Sequence, residues 1–389
     1  MTTMGHDTAA TESARPPLRV ALVTSSYSFI QDGVALTLNR LVAYLESHGA
    51  EVLVFAPVGK TAFPHRGTLA PTPSAPMPLR PEYRLALGLT PALRRRLIAF
   101  DPDIIHLAVP DLLGRQALRL GLASGRTVVA SYHTRYETYL GYYGLGFLSG
   151  WFRRWLAAFY RRCREVYVPS ASMAEVLIAD GCGANLHLWP RGVDIERFDP
   201  ARRDAAWRER RGIAPDEVVV VFVSRLVKEK RVAVLAGVFA RLRAEVPGFR
   251  GLVVGDGPER GMLEATLPDA VFTGFLRGDD LAAAYASSDV FFFPSDTETF
   301  GSVTLEAMAS GLPTVCADAT GSRSLVEPGE TGLLARADDG ESFFRHLRAL
   351  VTDGDLRRRM GAAARARSLQ FSWDKAMAGL LARYEALRR

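Results

Sequence analysis

The sequence predicts an α/β protein with two domains, each built on a parallel sheet. Short runs of bulky apolar residues recur along the chain, and each is followed by a polar or glycine-containing turn and then by a segment with helical periodicity. At 389 residues the chain is long enough for two cores of ordinary size. Hydrophobic residues make up 48% of the sequence, which fits a globular protein.

The clearest unit of this kind spans residues 290–313. It begins with the apolar run Val290–Phe293, which Pro294 stops, as expected of a short buried strand. A polar turn that ends in Gly301 comes next, and the helix-forming segment VTLEAMAS is closed by Gly311. The pattern predicts a strand, a loop and a helix, in that order.

Two acids of this unit, Glu298 in the loop and Glu306 in the helix, are candidates for ligand contacts. If the helix begins near Ser302, Glu306 lies within its first two turns, close to the exposed amides of the helix N-terminus. Those amides suit an anion, so a ligand that carries phosphate and hydroxyl groups fits the unit. Two solvated surface acids are the alternative for an isolated pair at this spacing.

The first domain begins after a polar leader at residues 1–17, which we expect to be disordered. Residues 18–24 form a strand pattern, and Gly33 stands just before an amphipathic helix, where it is either a turn glycine or a point of backbone approach to a phosphate. Seven prolines between residues 57 and 81 predict a long loop without regular structure.

His133 follows another strand pattern, RTVVAS at residues 126–131. A side chain at the carboxyl end of a parallel strand points towards the crevice in which doubly wound sheets bind ligands. The histidine is therefore a candidate for contact with a ligand, with a buried, hydrogen-bonded core residue as the alternative.

A basic, aromatic helix is predicted at about residues 150–164. Apolar side chains at helical spacing share one side of it, and arginines surround most of the rest. Such a helix can lie in a membrane interface or pack on the core with a solvated basic face. The apolar residues are Trp151, Phe152, Trp155, Leu156 and Phe159.

The second domain opens with the apolar strand EVVVVFV, and Arg225 and Lys230 follow its end. Two cations at the mouth of a sheet can stabilise a diphosphate without a metal ion, whereas ordinary surface cations are the simpler reading. Gly255 and Gly257 belong to a tight Gly-Asp-Gly-Pro turn whose spacing differs from the dinucleotide-binding fingerprint.

The letters TFG, EAMASG and LP around Glu298 and Glu306, together with the Tyr-His-Thr and Gly-Asp-Gly-Pro segments, resemble the retaining, nucleotide-sugar-dependent glycosyltransferases of the family 4-like group. The resemblance covers most of the chain and implies the GT-B fold, in which two Rossmann-like, doubly wound domains face each other across a cleft. It places the N-terminal, acceptor-binding domain at residues 18–195, the nucleotide-sugar domain at 196–368 and a C-terminal helix that crosses back at 369–389.

The resemblance also implies roles for individual residues. His133 would contact the transferred sugar or the acceptor, Glu298 would hold the sugar, and Arg225 with Lys230 would stabilise the diphosphate. The implied donor-binding residues are Gly33, Arg225, Lys230, Leu276, Glu298, Phe300, Gly301 and Glu306. No metal or other cofactor is expected in this family.

Two positions depart from the family pattern. Arg191 stands where the segment before Gly-Val-Asp usually has asparagine, and no function is predicted for the change. Relatives usually have Gly-Gly-x-x-Glu where this chain has Gly321, Ser322 and Ser324, and we expect the missing acid to alter the donor sugar or domain closure.

The resemblance implies a hexosyltransferase that moves a sugar, most simply from a UDP-sugar, with retention of configuration by a front-face route. The segments around His133 and the basic helix are closest to the lipid-directed branch, which includes sulfoquinovosyl-diacylglycerol synthases and phospholipid mannosyltransferases. A membrane lipid such as diacylglycerol or a glycolipid is therefore the expected acceptor. The alternatives are a soluble or polyprenyl-linked acceptor in envelope polysaccharide assembly, and a nucleotide-sugar-binding protein without catalysis.

Composition restricts the location and partners of the protein. The opening residues lack an apolar signal-peptide core, and the three cysteines have no ligand spacing, so we expect a cytoplasmic protein without disulfides or zinc. The net charge is +6, and most of the surplus lies in the first 200 residues, where 21 basic residues face 16 acidic ones. Such a surplus fits peripheral contact with the inner, anionic membrane surface, and no motif supports nucleic-acid binding.

Overall fold

The computed structural model describes residues 16–30, 32–77, 80–135, 146–183 and 185–388. Most of the predicted leader and the glycine- and tyrosine-rich segment at residues 136–145 lie outside the described residues.

Strands and helices alternate along much of the chain. The strands are β1 (Arg19–Val23), β2 (Glu51–Pro57), β3 (Thr68–Thr72), β4 (Ser74–Met77), β5 (Arg80–Ala86), β6 (Ile104–Leu107), β7 (Thr127–Ser131), β8 (Glu165–Val168), β9 (Leu186–Leu188), β10 (Val218–Val223), β11 (Phe249–Val254), β12 (Val271–Gly274), β13 (Val290–Phe293), β14 (Thr314–Ala317) and β15 (Gly332–Ala335).

The helices cover most of the intervals between these strands. They are α1 (Gly33–Ser47), α2 (Pro91–Phe100), α3 (Leu112–Ala123), α4 (Ser149–Tyr160), α5 (Ala171–Ala179), α6 (Ala205–Glu209), α7 (Val232–Glu245), α8 (Arg260–Thr266), α9 (Gly278–Ala286), α10 (Ser302–Ala309), α11 (Thr320–Leu325), α12 (Gly340–Thr352), α13 (Gly354–Ser368) and α14 (Trp373–Leu387).

Strands β1–β3 and β6–β9 belong to a seven-stranded sheet, and β10–β15 form a six-stranded sheet in the order β12-β11-β10-β13-β14-β15. The pairs described within both sheets are parallel, whereas β4 and β5 form a separate antiparallel pair. Parallel strands connected by helices confirm the predicted α/β class with two Rossmann-like sheets.

The prediction of an irregular segment between residues 57 and 81 was wrong, because β3 and β4 lie there. Strand β3 is an edge strand of its sheet, and prolines are tolerated at edges, where an amide hydrogen is not needed on the open side. Pro71 lies in β3 with its side chain exposed.

The chain divides into two compact units. The first comprises residues 1–106, 112–127 and 384–389, and the second comprises residues 107–111 and 128–383. The predicted domain boundary near residue 195 stays a prediction. Within the first unit, the hydroxyl of Tyr384 is hydrogen-bonded to His106 Nδ1, and Arg388 Nε lies 3.5 Å from Asp103 Oδ2.

The core of the second unit surrounds β13. This strand pairs with β10 on one edge and β14 on the other, and all four of its side chains, which point alternately to the two faces of the sheet, are fully buried. Phe293 stacks on Phe222 of β10 at 5.8 Å, and Phe292 meets Phe343 of α12 edge-on at 5.2 Å. A strand buried on both faces explains the unbroken apolar run in the sequence.

Among the described residues, no helix is both long and apolar enough to cross a membrane.

Gly192 allows the segment after β9 to lie directly against the start of α14. The Val193 amide donates to the Phe371 carbonyl at 3.0 Å. A β-carbon built on Gly192 would overlap the backbone nitrogen of Trp373 and lie 2.5 Å from its Cα. These neighbours are backbone atoms, so they cannot move aside as a flexible side chain would.

We expect Gly192→Ala to destabilise the protein by about 1–3 kcal/mol, because the added methyl group forces the two backbones apart. Gly237→Ala in α7 is the matched control, since its β-carbon meets nothing within 4 Å and alanine favours a helix by roughly 0.5–1 kcal/mol. Thermal unfolding followed by circular dichroism measures both. A midpoint for Gly192→Ala at or above that of the wild type would contradict the assigned backbone contact.

Candidate functional site

The loop between β13 and α10 carries Glu298 and ends at Gly301, as predicted. Gly301 has a φ of 91°, the left-handed conformation that glycine adopts without strain, and α10 begins at the next residue. The Glu298 side chain is 22% exposed, and its carboxylate accepts a hydrogen bond from Lys230 Nζ. The structure thus brings together two predicted site residues that are 68 positions apart.

Three cations act on Glu298. Burial by itself would raise the pKa of the Glu298 carboxyl, but the charge and hydrogen bond of Lys230 and the charges of Arg191 and Arg225 hold the pKa below its usual value. Lys230 is buried, whereas Arg225 is exposed. The carboxylate is therefore ionised at neutral pH, and an exposed cation stands beside it.

The Gly-Asp-Gly-Pro turn fixes the segment that carries Arg225. The Leu226 amide donates to the Asp256 carbonyl at 2.9 Å. A β-carbon on Gly255 would overlap the Ser224 carbonyl oxygen, and one on Gly257 would lie 2.9 Å from the Leu226 carbonyl carbon. Glycine is needed at both positions because two backbone segments touch there, which is the physical basis of the motif.

Glu306 lies in the second turn of α10, where the sequence placed it. Its Oε2 accepts a hydrogen bond from the hydroxyl of Tyr285 at 3.3 Å, and the same hydroxyl lies 3.2 Å from the Val303 carbonyl oxygen. Burial raises the pKa of the Glu306 carboxyl to about 7, although the hydrogen bond from Tyr285 opposes the shift. Glu298 and Glu306 therefore differ in charge state near neutral pH.

His133 lies next to the Glu298 loop through its backbone. Thr299 Oγ1 donates to the His133 carbonyl oxygen at 3.0 Å, and Ser170 Oγ donates to the Thr299 carbonyl oxygen at 3.0 Å. The His133 ring is buried, with Nε2 at 2.8 Å from Ser131 Oγ and an edge contact to Trp189. The ring is therefore buried and hydrogen-bonded and the backbone contacts the Glu298 loop, while the contact of His133 with the sugar or the acceptor stays a prediction.

Thr299 and Ser170 were not predicted. Ser170 could have been found as the N-cap of α5, because its hydroxyl accepts from the Met173 amide at 3.2 Å and serine before a helix is a common cap. Thr299 has no such signal, since its partners lie 129 and 166 positions away in the chain.

The departure from Gly-Gly-x-x-Glu lies at α11, against the same loop. Thr320 Oγ1 and the Gly321 amide both donate to the Glu298 carbonyl oxygen, at 2.7 and 3.0 Å. A β-carbon on Gly321 would lie 2.9 Å from Glu298 Cβ, so glycine is required for this approach. Ser324 Oγ, where relatives have the acid, is 2.7 Å from Ser172 Oγ of α5.

The remaining predicted donor-binding residues differ in their accessibility. Phe300 is 3% exposed and packs edge-on against Phe371, so only its backbone could reach a ligand. Leu276 is half-buried beside the exposed ring of Phe275. Gly33 belongs to the other compact unit, where it begins α1. Their contacts with a donor stay predictions.

Within the described ranges, no cluster of three or more His, Cys, Asp or Glu residues is placed to hold a metal ion.

Comparison with known proteins identifies both halves of the chain. Residues 31–197 match the model of Glycosyltransferase Family 4, and residues 204–367 match that of Glycosyl transferases group 1. The chain is 39% identical to a GDP-mannose-dependent alpha-mannosyltransferase of Mycolicibacterium smegmatis, over 95% of this chain and 98% of that one. It is 35% identical to the sulfoquinovosyl transferase SQD2 of Arabidopsis thaliana, over 94% of this chain and 73% of that one.

Two further similarities are more distant. An alpha-monoglucosyldiacylglycerol synthase of Acholeplasma laidlawii is 24% identical, over 85% of this chain and 87% of its own length. Among solved structures, the sucrose-phosphate synthase of Thermosynechococcus elongatus superposes with a TM-score of 0.75 and 20% identity, over 95% of this chain and 99% of that chain. At this identity the superposition shows the fold alone.

The pKa of Glu306 predicts a pH dependence of stability. The carboxyl titrates near 4.5 when unfolded and near 7 when folded, so below about pH 4.5 it is protonated in both states and imposes no penalty. As the pH rises from about 4.5 to 7, the unfolded state ionises first and the free energy of unfolding falls, by about 3 kcal/mol at most. Glu306→Gln should remove this loss.

The test compares urea unfolding of the wild type and Glu306→Gln at pH 4.5, 6 and 7.5. We expect the difference between the two proteins to shift in favour of the variant as the pH rises. Glu330→Gln, at an exposed position after α11, is the matched control and should follow the wild type throughout. A difference that is independent of pH would contradict the assigned environment of Glu306.

Proposed function

The chain belongs to glycosyltransferase family 4, with the GT-B architecture, and from this premise we propose that it transfers a hexose from a nucleotide-sugar to a membrane lipid. The observation that carries the proposal is the ionised Glu298 carboxylate, which Lys230 binds directly beside the exposed Arg225 and the N-terminus of α10. This arrangement offers a carboxylate for sugar hydroxyls and cations for a diphosphate within one small region.

In the proposed reaction, the bond between the anomeric carbon and the diphosphate oxygen breaks as the acceptor oxygen attacks that carbon. Arg225, Lys230 and the α10 N-terminus stabilise the negative charge that develops on the departing diphosphate, without a metal ion. Glu298 positions the sugar through its hydroxyl groups. The acceptor proton passes to the leaving phosphate oxygen on the same face, so we propose that the configuration is retained.

The donor is proposed to be GDP-mannose, with the UDP-sugar expected from the sequence as the second candidate. Support for GDP-mannose comes from the names of relatives that match over almost their whole length, including the mycobacterial one. The segment proposed to meet the base, around Leu276, offers the exposed Phe275 ring with the Arg277 guanidinium 4.7 Å from its centre. Stacking on such a surface suits either base.

The lipid acceptor is supported by helix α4 and the short 3-10 turn before it. Leu156 and Phe159 are buried, as a core-packed helix requires, whereas Trp151 is 59% exposed and Phe147 is 79% exposed. Arg153 and Arg154 are exposed on the same helix. The C-terminal half of the helix is thus packed on the core, and we propose that its exposed N-terminal half, with the turn before it, contacts an anionic membrane surface.

A nucleotide-release assay tests the transfer. We expect the nucleoside diphosphate to be released from GDP-mannose, or from one UDP-sugar, only when vesicles that contain diacylglycerol or a glycolipid are present. Lys230→Met should lower kcat by about 100-fold, because a buried cation at the leaving group is removed. Lys60→Met, at an exposed lysine of the first unit, is the matched control and should retain activity.

Nucleotide release with a soluble acceptor would contradict a lipid acceptor and favour a role in envelope polysaccharide assembly. Donor binding without nucleotide release, whatever the acceptor, would favour a nucleotide-sugar-binding protein without catalysis.

Vesicle flotation tests the membrane surface separately. The double variant Phe147→Gln/Trp151→Gln should bind vesicles with 30% phosphatidylglycerol about tenfold more weakly than the wild type, because two exposed aromatic side chains no longer enter the interface. Leu122→Gln, an exposed apolar residue of α3, is the control and should bind like the wild type. Equal binding by all three proteins would show that α4 does not dock on lipid.

A further inference from the structure

A second cationic region lies beside the Glu298 loop, in a cavity between β9 and the start of α14. This β9–α14 cavity has a volume of about 270 Å³. Its walls come from β9, from the segment just after β9, from residues 370–372 and from α14 as far as Arg383, all within the second compact unit. Its polar side chains include His187, Arg191, Ser372, Lys375 and Arg383.

The Arg383 guanidinium is held in place by a buried carboxylate. Its Nε donates to Glu165 Oε2 at 3.1 Å, and a second guanidinium nitrogen donates to the other carboxylate oxygen. Glu165 is only 4% exposed and does not line the cavity. A further guanidinium N–H faces His187 Nε2 at 3.3 Å. Of the five N–H donors, two serve Glu165 and one faces His187, which leaves two for a group in the cavity.

Lys375 and the N-terminus of α14 add positive potential to the same space. Lys375 is exposed in the first turn of the helix, and Ser372 lies just before that helix. The first amides of a helix favour an anion through the helix dipole. Among the described residues that line the cavity, none is acidic.

The size and the apolar walls of the cavity restrict what it can hold. At about 270 Å³ the cavity lies below the usual range for sites of drug-sized ligands. It has room for a phosphate group with a short attached chain. Leu188 and Phe371 supply apolar surface beside the cations.

Arg191 connects the cavity to the candidate donor site. The same side chain lines the cavity and exerts an electrostatic effect on the Glu298 carboxylate. Its backbone position is fixed because Gly192 lies directly against Trp373 at the start of α14. Arginine at this position therefore gives the cavity a cation that the usual asparagine would not supply.

We propose that the β9–α14 cavity binds a phosphate group, either as free phosphate or as the phosphate of a lipid headgroup, through Arg191, Lys375 and Arg383. Charge-assisted hydrogen bonds from two guanidinium groups and one ammonium group provide the recognition. The inference goes beyond the proposed function, and its test needs no sugar transfer.

Isothermal titration calorimetry with inorganic phosphate is the first test, on the full-length protein. Lys375→Gln and Arg191→Asn should each weaken phosphate binding by about tenfold, because each removes one charged donor. Lys60→Gln is the matched control and should bind phosphate like the wild type. Lys230→Met should also retain binding, since Lys230 belongs to the separate donor site.

Two outcomes would overturn the proposal. Either phosphate binding is unchanged in Lys375→Gln and Arg191→Asn, or Lys230→Met abolishes it, because the anion would then bind outside the cavity, at the Glu298 site. Lys375 is exposed, so its substitution tests binding without endangering the fold.

Flotation with phosphatidylcholine vesicles that contain phosphatidic acid distinguishes the two sources of phosphate. Weaker binding of Lys375→Gln to both inorganic phosphate and these vesicles supports a lipid headgroup, and weaker binding to inorganic phosphate alone supports a free phosphate compound. Failure of the glycosyltransferase assay would leave both measurements interpretable, so the two proposals can fail independently.

Discussion

The ionised state of Glu298 is the constraint on which the site depends. A carboxylate taken largely out of water is unstable unless cations compensate it, and here Lys230 binds it while Arg191 and Arg225 add charge. In the proposed reaction the same cations face the diphosphate, so one charge arrangement would both keep the carboxylate ionised and stabilise an anionic leaving group. At Glu306, by contrast, burial raises the pKa of the carboxyl to about 7, and the hydrogen bond from Tyr285 only partly opposes the shift.

Close contact between backbone segments holds this arrangement in place. Gly255 and Gly257 let the Gly-Asp-Gly-Pro turn touch the segment that carries Arg225, and Gly321 lets α11 touch the Glu298 loop. Thr299 ties the same loop to His133. Since these contacts involve main-chain atoms, the positions of the charged side chains follow from glycine placement as much as from their own identities.

The basic, aromatic helix α4 illustrates why a pattern can support two readings at once. Its residues follow helical spacing, but spacing alone does not say how much of the apolar side the rest of the chain covers. The structure covers Leu156 and Phe159 and leaves Trp151 exposed, because core packing takes only the C-terminal half of the helix. The prediction of an irregular segment from its prolines was wrong for a similar reason, because the local sequence does not show that β3 lies at the edge of its sheet. On the open side of an edge strand no amide hydrogen is needed for pairing, so proline is tolerated there.

The sequence by itself determined the α/β class and the strand–loop–helix unit around Glu298, with Glu306 in its helix, because apolar runs, turns and helix starts are local properties of the chain. Only the tertiary structure decided that Lys230 binds Glu298, that Thr299 supports His133 and that Arg191 lines a cavity beside the site. Those pairings join residues far apart in the chain, and their geometry depends on how sheets and helices pack, which no local pattern records.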